Sequence, residues 1–133
     1  EQGFTRDGVA VCPDAEKGAE LTGSDMARWL GMSQADKRKE LTSKPLPEIT
    51  VTQEMRQEAF DNWETTDDHG MLIYGIAKDQ NGKEYYMVKN SWGTEGKYKG
   101  IWYASKAFAA YKTLNILVHK DAIPADIAKK LGL

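Results

Sequence analysis

Two residues carry the chemistry of this sequence most plainly. His69 stands at the head of one apolar run, Gly70 to Ala77, and Asn90 closes the next, Glu84 to Lys89. Between them lies Asp79-Gln80-Asn81-Gly82, and an Asn-Gly pair flanked by such runs is a strong hairpin signal. An antiparallel hairpin lays the start of its first strand beside the end of its second. It therefore makes His69 and Asn90 neighbours, with a bulge or a longer first strand absorbing the extra residues on the histidine side. An amide oxygen against one ring nitrogen fixes the imidazole tautomer and turns the other nitrogen outward. Trp92 is placed to cover the pair and keep water from competing. A lone histidine is usually a solvated surface residue, but one oriented by an asparagine is poised to act as a base toward a nucleophile. No reactive cysteine is evident alongside them, so the sequence reads as one half of a site.

The elements that must hold this pair are legible from about residue 48 onward. Ile49-Thr50-Val51 is β-prone, and Thr52 is a good N-cap for a helix from Gln53 to Trp63 with Met55, Ala59, Phe60 and Trp63 on one face. Glu54 in its first turn suits the helix dipole. Gly70 to Ala77 reads as a buried strand and Glu84 to Lys89 as its partner. Gly93 to Gly100 is a glycine-bearing loop, Ile101-Trp102-Tyr103 a third strand, and Ser105 the cap of a short helix to about Tyr111. Leu114, Ile116 and Val118 alternate as in a fourth strand, and a last helix begins at Asp121 or Pro124 and closes near Leu131-Gly132. Hairpin strands with helices to the side predict an α+β fold on an antiparallel sheet.

The first third is less core-like. A turn at Gly3 to Gly8 precedes the apolar run Val9-Ala10-Val11-Cys12. Ser24 is placed to cap a short helix carrying Met26, Trp29 and Leu30 and ended by Gly31. Ser33 caps a more polar helix to about Ser43, whose Asp-Lys-Arg-Lys-Glu run is a solvated face, and Pro45 and Pro47 break the chain. The expected organisation is a loosely packed helix-and-loop segment over 1–47 and a β-rich unit bearing His69 and Asn90 over 48–133.

Composition narrows the function. The chain has 133 residues, 41% hydrophobic and 29% charged, which suits one domain. A net charge of −2 gives no electrostatic case for nucleic acid or an anionic membrane. No apolar run approaches the roughly 20 residues that span a bilayer. The chain opens on Glu1 with no signal-peptide pattern, which fits a fragment or a processed product. With one cysteine, no intrachain disulfide forms. His119 has no second His or Cys at ligand spacing, so no metal is expected, and the glycines lack the context of a nucleotide loop. No cofactor is expected. Trp29, Trp63 and Trp102 read as core or interface residues.

Lys89-Asn90-Ser91-Trp92-Gly93 closely resembles the asparagine motif of papain-like cysteine peptidases, and Asp68-His69-Gly70-Met71 with Tyr74-Gly75 resembles their histidine motif. The Cys-His-Asn site of that clan is a long-established variant of the Ser-His-Asp constellation. The nearer match is to the bleomycin hydrolase and aminopeptidase C branch, through Lys99-Gly100-Ile101-Trp102-Tyr103, the stretch from Ala107-Phe108 to Tyr111, Val118-His119-Lys120 and Ile123-Pro124. It is specific from about Gln53 to Pro124 and looser from Gly3 to Leu46, where Ser24-Asp25-Met26 also fits. The resemblance implies the antiparallel, half-barrel half of the papain-like fold with flanking helices. It implies that His69 is general base and then general acid, that Asn90 orients it, that Trp92 shields their hydrogen bond, and that Asp68 and Gly70 line the substrate cleft. It implies a peptide substrate, a cytoplasmic location (export being the alternative) and a homo-oligomer such as the branch's ring-shaped hexamer.

The sequence departs from that pattern in its nucleophile. Cys12 stands in Val11-Cys12-Pro13, without the Cys-Trp helix start of the family, and reads as structural. The oxyanion glutamine is not identifiable either. The chain therefore reads as the C-terminal third of a peptidase whose N-terminal half carries the cysteine, inactive alone. After Ile123-Pro124 it has a short helix, with Ile127, Ala128 and Leu131 on one face, where relatives have a longer arm, so endopeptidase action stands beside aminopeptidase action. Two other readings are a non-catalytic peptidase-like binding scaffold and a dimerisation module. An isolated half of such a fold is expected to expose an apolar face.

Overall fold

A computed structural model describes residues 4, 8–14, 26–33, 35–37, 39, 45, 47–67 and 69–133. Its centre is a four-stranded sheet in the order β1-β4-β3-β2, built from β1 (Val9–Ala10), β2 (Leu72–Lys78), β3 (Glu84–Lys89) and β4 (Ile101–Ser105). β2 and β3 form the expected hairpin, paired antiparallel from Leu72↔Lys89 to Lys78↔Glu84. β3 and β4 are antiparallel from Lys89↔Ile101 to Tyr85↔Ser105. β1 joins β4 in parallel, with Ala10 opposite Ala104. Helices α1 (Met26–Gly31), α2 (Gln53–Asp61), α3 (Lys106–Lys112) and α4 (Ala125–Leu131) accompany the sheet. The fold is α+β, as expected, with the sheet open rather than closed into a barrel.

The helix starts follow their caps. The Thr52 hydroxyl accepts from the Met55 N–H at 3.3 Å, and Ser105 Oγ accepts from the Phe108 N–H at 3.0 Å. The Glu54 carboxyl is held below its ordinary pKa by a backbone N–H and the Thr52 hydroxyl. Ser33 and Asp36 bond reciprocally at the head of the polar helical turn that follows α1. α4 ends on Gly132 at φ 72°, where the Leu133 N–H reaches Ala128 O at 3.0 Å, the left-handed stop that glycine permits. The expected cap at Ser24 and the side chain of Trp29 lie outside the described residues.

One sheet face makes the core. Cross-strand neighbours Val88 and Trp102, and Tyr86 and Ala104, share that face, and Ala10, Cys12 and Phe108 pack against them. Cys12 is buried there, in keeping with its structural reading. The Val9–Cys12 run, which the sequence places in a loose segment, lies within this core, because β1 finds an open edge on β4.

Glu48 binds this arrangement together. Its carboxylate accepts from the Cys12 N–H at 2.8 Å and from the Ser105 hydroxyl, and pairs with Lys83 Nζ at 2.7 Å. One side chain thus ties β1, the start of α3 and the hairpin turn. Removing the acceptor from three donors in a mostly enclosed position costs about 2–4 kcal/mol. Glu48→Ala should therefore lower Tm clearly in thermal unfolding, and a Tm equal to wild type would show that the clip contributes nothing.

Three expectations are corrected. Leu114 to His119 forms no strand, since it has no ladder partner among the described residues, and Leu117 is 100% exposed. β2 is not buried but is the outer strand, with Leu72, Tyr74 and Ile76 exposed. α2 stops at Asp61, and Trp63 takes a left-handed φ of 66° that swings its indole to 81% exposure, out of the core.

Candidate active site

His69 reaches its place through an anchored loop. Thr65 is 3% exposed, its N–H donates to Ala59 O at 2.8 Å, and Lys112 Nζ donates to Glu64 O at 2.8 Å and to Thr65 Oγ1 at 3.1 Å. Arg56 Nη2 donates to Thr113 O at 2.8 Å, and its Nη1 to Ala110 O, capping the end of α3 against α2. The loop after α2 is thus fixed at Thr65, four residues before His69.

The hairpin then sets the register. Its turn is closed by Asp79, whose Oδ1 accepts from the N–H groups of Asn81 and Lys83 at 2.8 and 2.9 Å. Of the bulge or longer first strand that the spacing allows, a bulge occurs at Tyr74, between the pairs Ile73↔Val88 and Gly75↔Met87. As a result His69 Nε2 lies 2.7 Å from Asn90 Oδ1.

That hydrogen bond has a defined sense. Asn90 Oδ1 also accepts from the Ser91 N–H at 2.7 Å, and a backbone N–H can only donate. The atom facing His69 is therefore the amide oxygen, and Nε2 must carry the proton it donates. In the neutral ring the lone pair then sits on Nδ1, which is free to take a proton from another group. Asn90 is 3% exposed, and its Nδ2 has no hydrogen-bond partner among the described residues.

The Trp92 ring lies over His69, centroids 5.6 Å apart and planes 23° from parallel. It is also met edge to face by Trp102 at 5.7 Å and by Phe4 at 6.1 Å. The loop carrying Trp92 is pinched at its neck. Gly93 and Gly100 have φ of 78° and 82°, and a Cβ on Gly100 would stand 1.9 Å from Gly93 O. The Asn90 N–H donates to Gly100 O at 3.3 Å across the same neck.

The structure thus brings together His69, Asn90 and Trp92. Asp68 lies outside the described residues. Gly70 follows His69 on exposed backbone with open space where a side chain would project. A surface depression along α2, lined by Gln53, Glu54, Gln57, Glu58, Asp61 and Asn62, does not include His69. His119 is exposed, and its side chain engages Asp121, two residues on. Among those residues no cluster of His, Cys, Asp or Glu could hold a metal, and no helix is long and apolar enough to cross a membrane. The aromatic support of Trp92 was not foreseen. Trp102 could be read only as core, and Phe4 is distant in sequence and carries no local signal.

The structure thus holds a histidine hydrogen-bonded to a buried asparagine beneath a tryptophan, on the hairpin of an α+β fold. The chain belongs to the Peptidase C1-like family, which matches residues 23–132. It is 36% identical over 59 residues to aminopeptidase C of Streptococcus thermophilus, covering 44% of this chain and 13% of that protein. It is 26% identical over 74 residues to aminopeptidase C of Lactobacillus helveticus, covering 56% and 16%. It is 52% identical over 34 residues to cathepsin L1 of Drosophila melanogaster, covering 26% and 9%. The match thus spans at most 16% of the length of each of these relatives. The family and these names make it a papain-like cysteine peptidase sequence.

Proposed function

We propose that the chain supplies the catalytic histidine and asparagine of a peptidase of the aminopeptidase C and bleomycin hydrolase type, with the nucleophilic cysteine upstream in the same protein. The observation that carries this reading is the 2.7 Å bond from His69 Nε2 to Asn90 Oδ1, with the amide orientation fixed by Ser91. It leaves Nδ1 as the basic atom, the one that would face a thiol.

On this reading Nδ1 takes the thiol proton, and the ion pair of thiolate and imidazolium is the resting state. The thiolate attacks the substrate carbonyl carbon. The imidazolium returns the proton to the departing amine as the peptide C–N bond breaks, leaving a thioester. Water, deprotonated by the same nitrogen, then releases the acid and frees the thiol. Asn90 keeps the proton on Nε2 throughout, and Trp92 keeps water from that bond. Asp68 and Gly70 flank the base and would line the cleft for a peptide, cut either from its amino end or internally. The N-terminal half is the obligatory partner, so this chain alone would be inactive, and further copies would assemble around the completed enzyme.

The test is the intact mass of the complete protein after treatment with an epoxide thiol-protease inactivator. One covalent adduct on an upstream cysteine, lost in His69→Ala, supports the assignment. No adduct on a folded protein overturns it in favour of a non-catalytic scaffold. Asn90→Ala should lower kcat by roughly ten- to a hundredfold, less than loss of the base, because Asn90 orients the ring without moving a proton. A loss larger than that of His69→Ala would contradict these roles.

A further inference from the structure

We propose that Phe4 and Trp102 are positioning residues that set the tilt of Trp92 and, through it, the orientation of the His69 ring. The inference rests on the site reading above for its kinetic consequence, but its geometry is independent of the chemistry. Trp92 is 57% exposed, so its own burial does not hold it upright. Its contacts do. The Trp102 indole is 6% exposed on β4 and meets Trp92 at 89°, and the Phe4 ring meets it at 82°. Phe4 and Trp102 are themselves stacked, 5.5 Å apart and 8° from parallel. Both therefore meet Trp92 with ring systems of the same orientation, a double edge-to-face support favoured by the ring quadrupoles. Trp92 in turn stacks on His69.

The imidazole is held at one atom by Asn90 and over its face by Trp92. One hydrogen bond fixes a direction but leaves rotation about it. The stacked indole removes that freedom, and it can do so only as well as its own tilt is fixed. Phe4 makes an isolated antiparallel bridge to Ala10, whose strand pairs with β4, so both supporting rings are tied to the β1–β4 side of the sheet. The geometry links a residue near the start of the chain to the direction in which Nδ1 points.

Phe108 provides the control. It lies against Phe4 at 6.3 Å in the same core, yet has no ring contact with Trp92 among the described residues. In the complete protein, Phe4→Leu and Phe108→Leu each remove one ring of the cluster, and both should lower Tm. Only Phe4→Leu should change the His69 imidazole nitrogen signals and speed exchange of its Nε2 proton in long-range proton–nitrogen spectra. It should also lower kcat by about tenfold with KM nearly unchanged, the scale expected when a catalytic group is slightly misaimed. Phe4→Tyr, which keeps the ring, should restore both readouts. Identical His69 signals in Phe4→Leu and wild type would overturn the inference, as would an equal change in Phe108→Leu. If the His69 signals move in Phe4→Leu alone while the wild-type protein hydrolyses no peptide, the positioning stands and the peptidase reading falls.

Discussion

His69→Ala in the complete protein is expected to lower kcat on the order of a thousandfold or more while leaving the fold intact. The size follows from what the ring does. On the proposed mechanism, an upstream thiol without a base at Nδ1 would stay protonated at neutral pH, and the departing amine would lose its proton donor. The fold tolerates the change because His69 is exposed and makes no contact in the apolar core. Truncation does leave Asn90 Oδ1 without one of its two donors, but the Ser91 N–H remains. Steady-state kinetics on a peptide amide, beside a thermal melt, separate the two effects. Activity within tenfold of wild type would remove His69 from the mechanism.

Gly100→Ala has the largest expected effect on structure. At φ 82° a Cβ costs about 1–2 kcal/mol before any contact is considered. Here it would also meet the Gly93 carbonyl oxygen at 1.9 Å, and that atom belongs to backbone that has no rotamer to escape into. The neck of the 90–100 loop must open. Opening it moves the Gly100 carbonyl that receives the Asn90 N–H and shifts the loop on which Trp92 stands. We expect a loss of about 3 kcal/mol or more in denaturant unfolding. The Nε2–H signal of His69 should also exchange faster, because its tryptophan cover is displaced. Gly82→Ala offers the comparison: its φ is 80°, but nothing lies within 4 Å of the added carbon. It should cost only the conformational part, and equal losses for the two would mean that the Gly93 contact is not what matters.

The parts of the fold that were legible in the sequence are those written in local chemistry. Asn81-Gly82 announced the hairpin, Thr52 and Ser105 announced their helices, and the spacing around His69 left room for a bulge or a longer first strand, of which a bulge occurs at Tyr74. His69 and Asn90 were found because hairpin register is itself local. What escaped depends on distant partners. Leu114 to Val118 has the alternation of a strand, but alternation specifies only that two faces differ, and a strand forms only where a ladder is available. Val9–Ala10 was too short to be assigned to the sheet, and its place follows from the free edge of β4. Trp63 carries a helix-face spacing, yet its left-handed backbone after Asp61 turns it outward. The stacking of Phe4 on Trp102 joins residues nearly a hundred positions apart, which no periodicity reports.

The outer strand β2 has one last consequence, for how this polypeptide behaves in solution. Apolar side chains stand exposed on both of its faces, at Leu72, Ile73, Tyr74 and Ile76, and its free backbone edge carries no proline. Natural sheets blunt such an edge with charge, but here Lys78 is the strand's one ionic group and sits at its far end. Handled by itself, the chain should stick to itself in a concentration-dependent way, by edge-to-edge strand addition. Light scattering should rise steeply with concentration and fall in Ile76→Lys, and a dilution series showing one monomeric mass throughout would refute it. On the proposed reading, an N-terminal half that covered this strand would also act as its solubiliser.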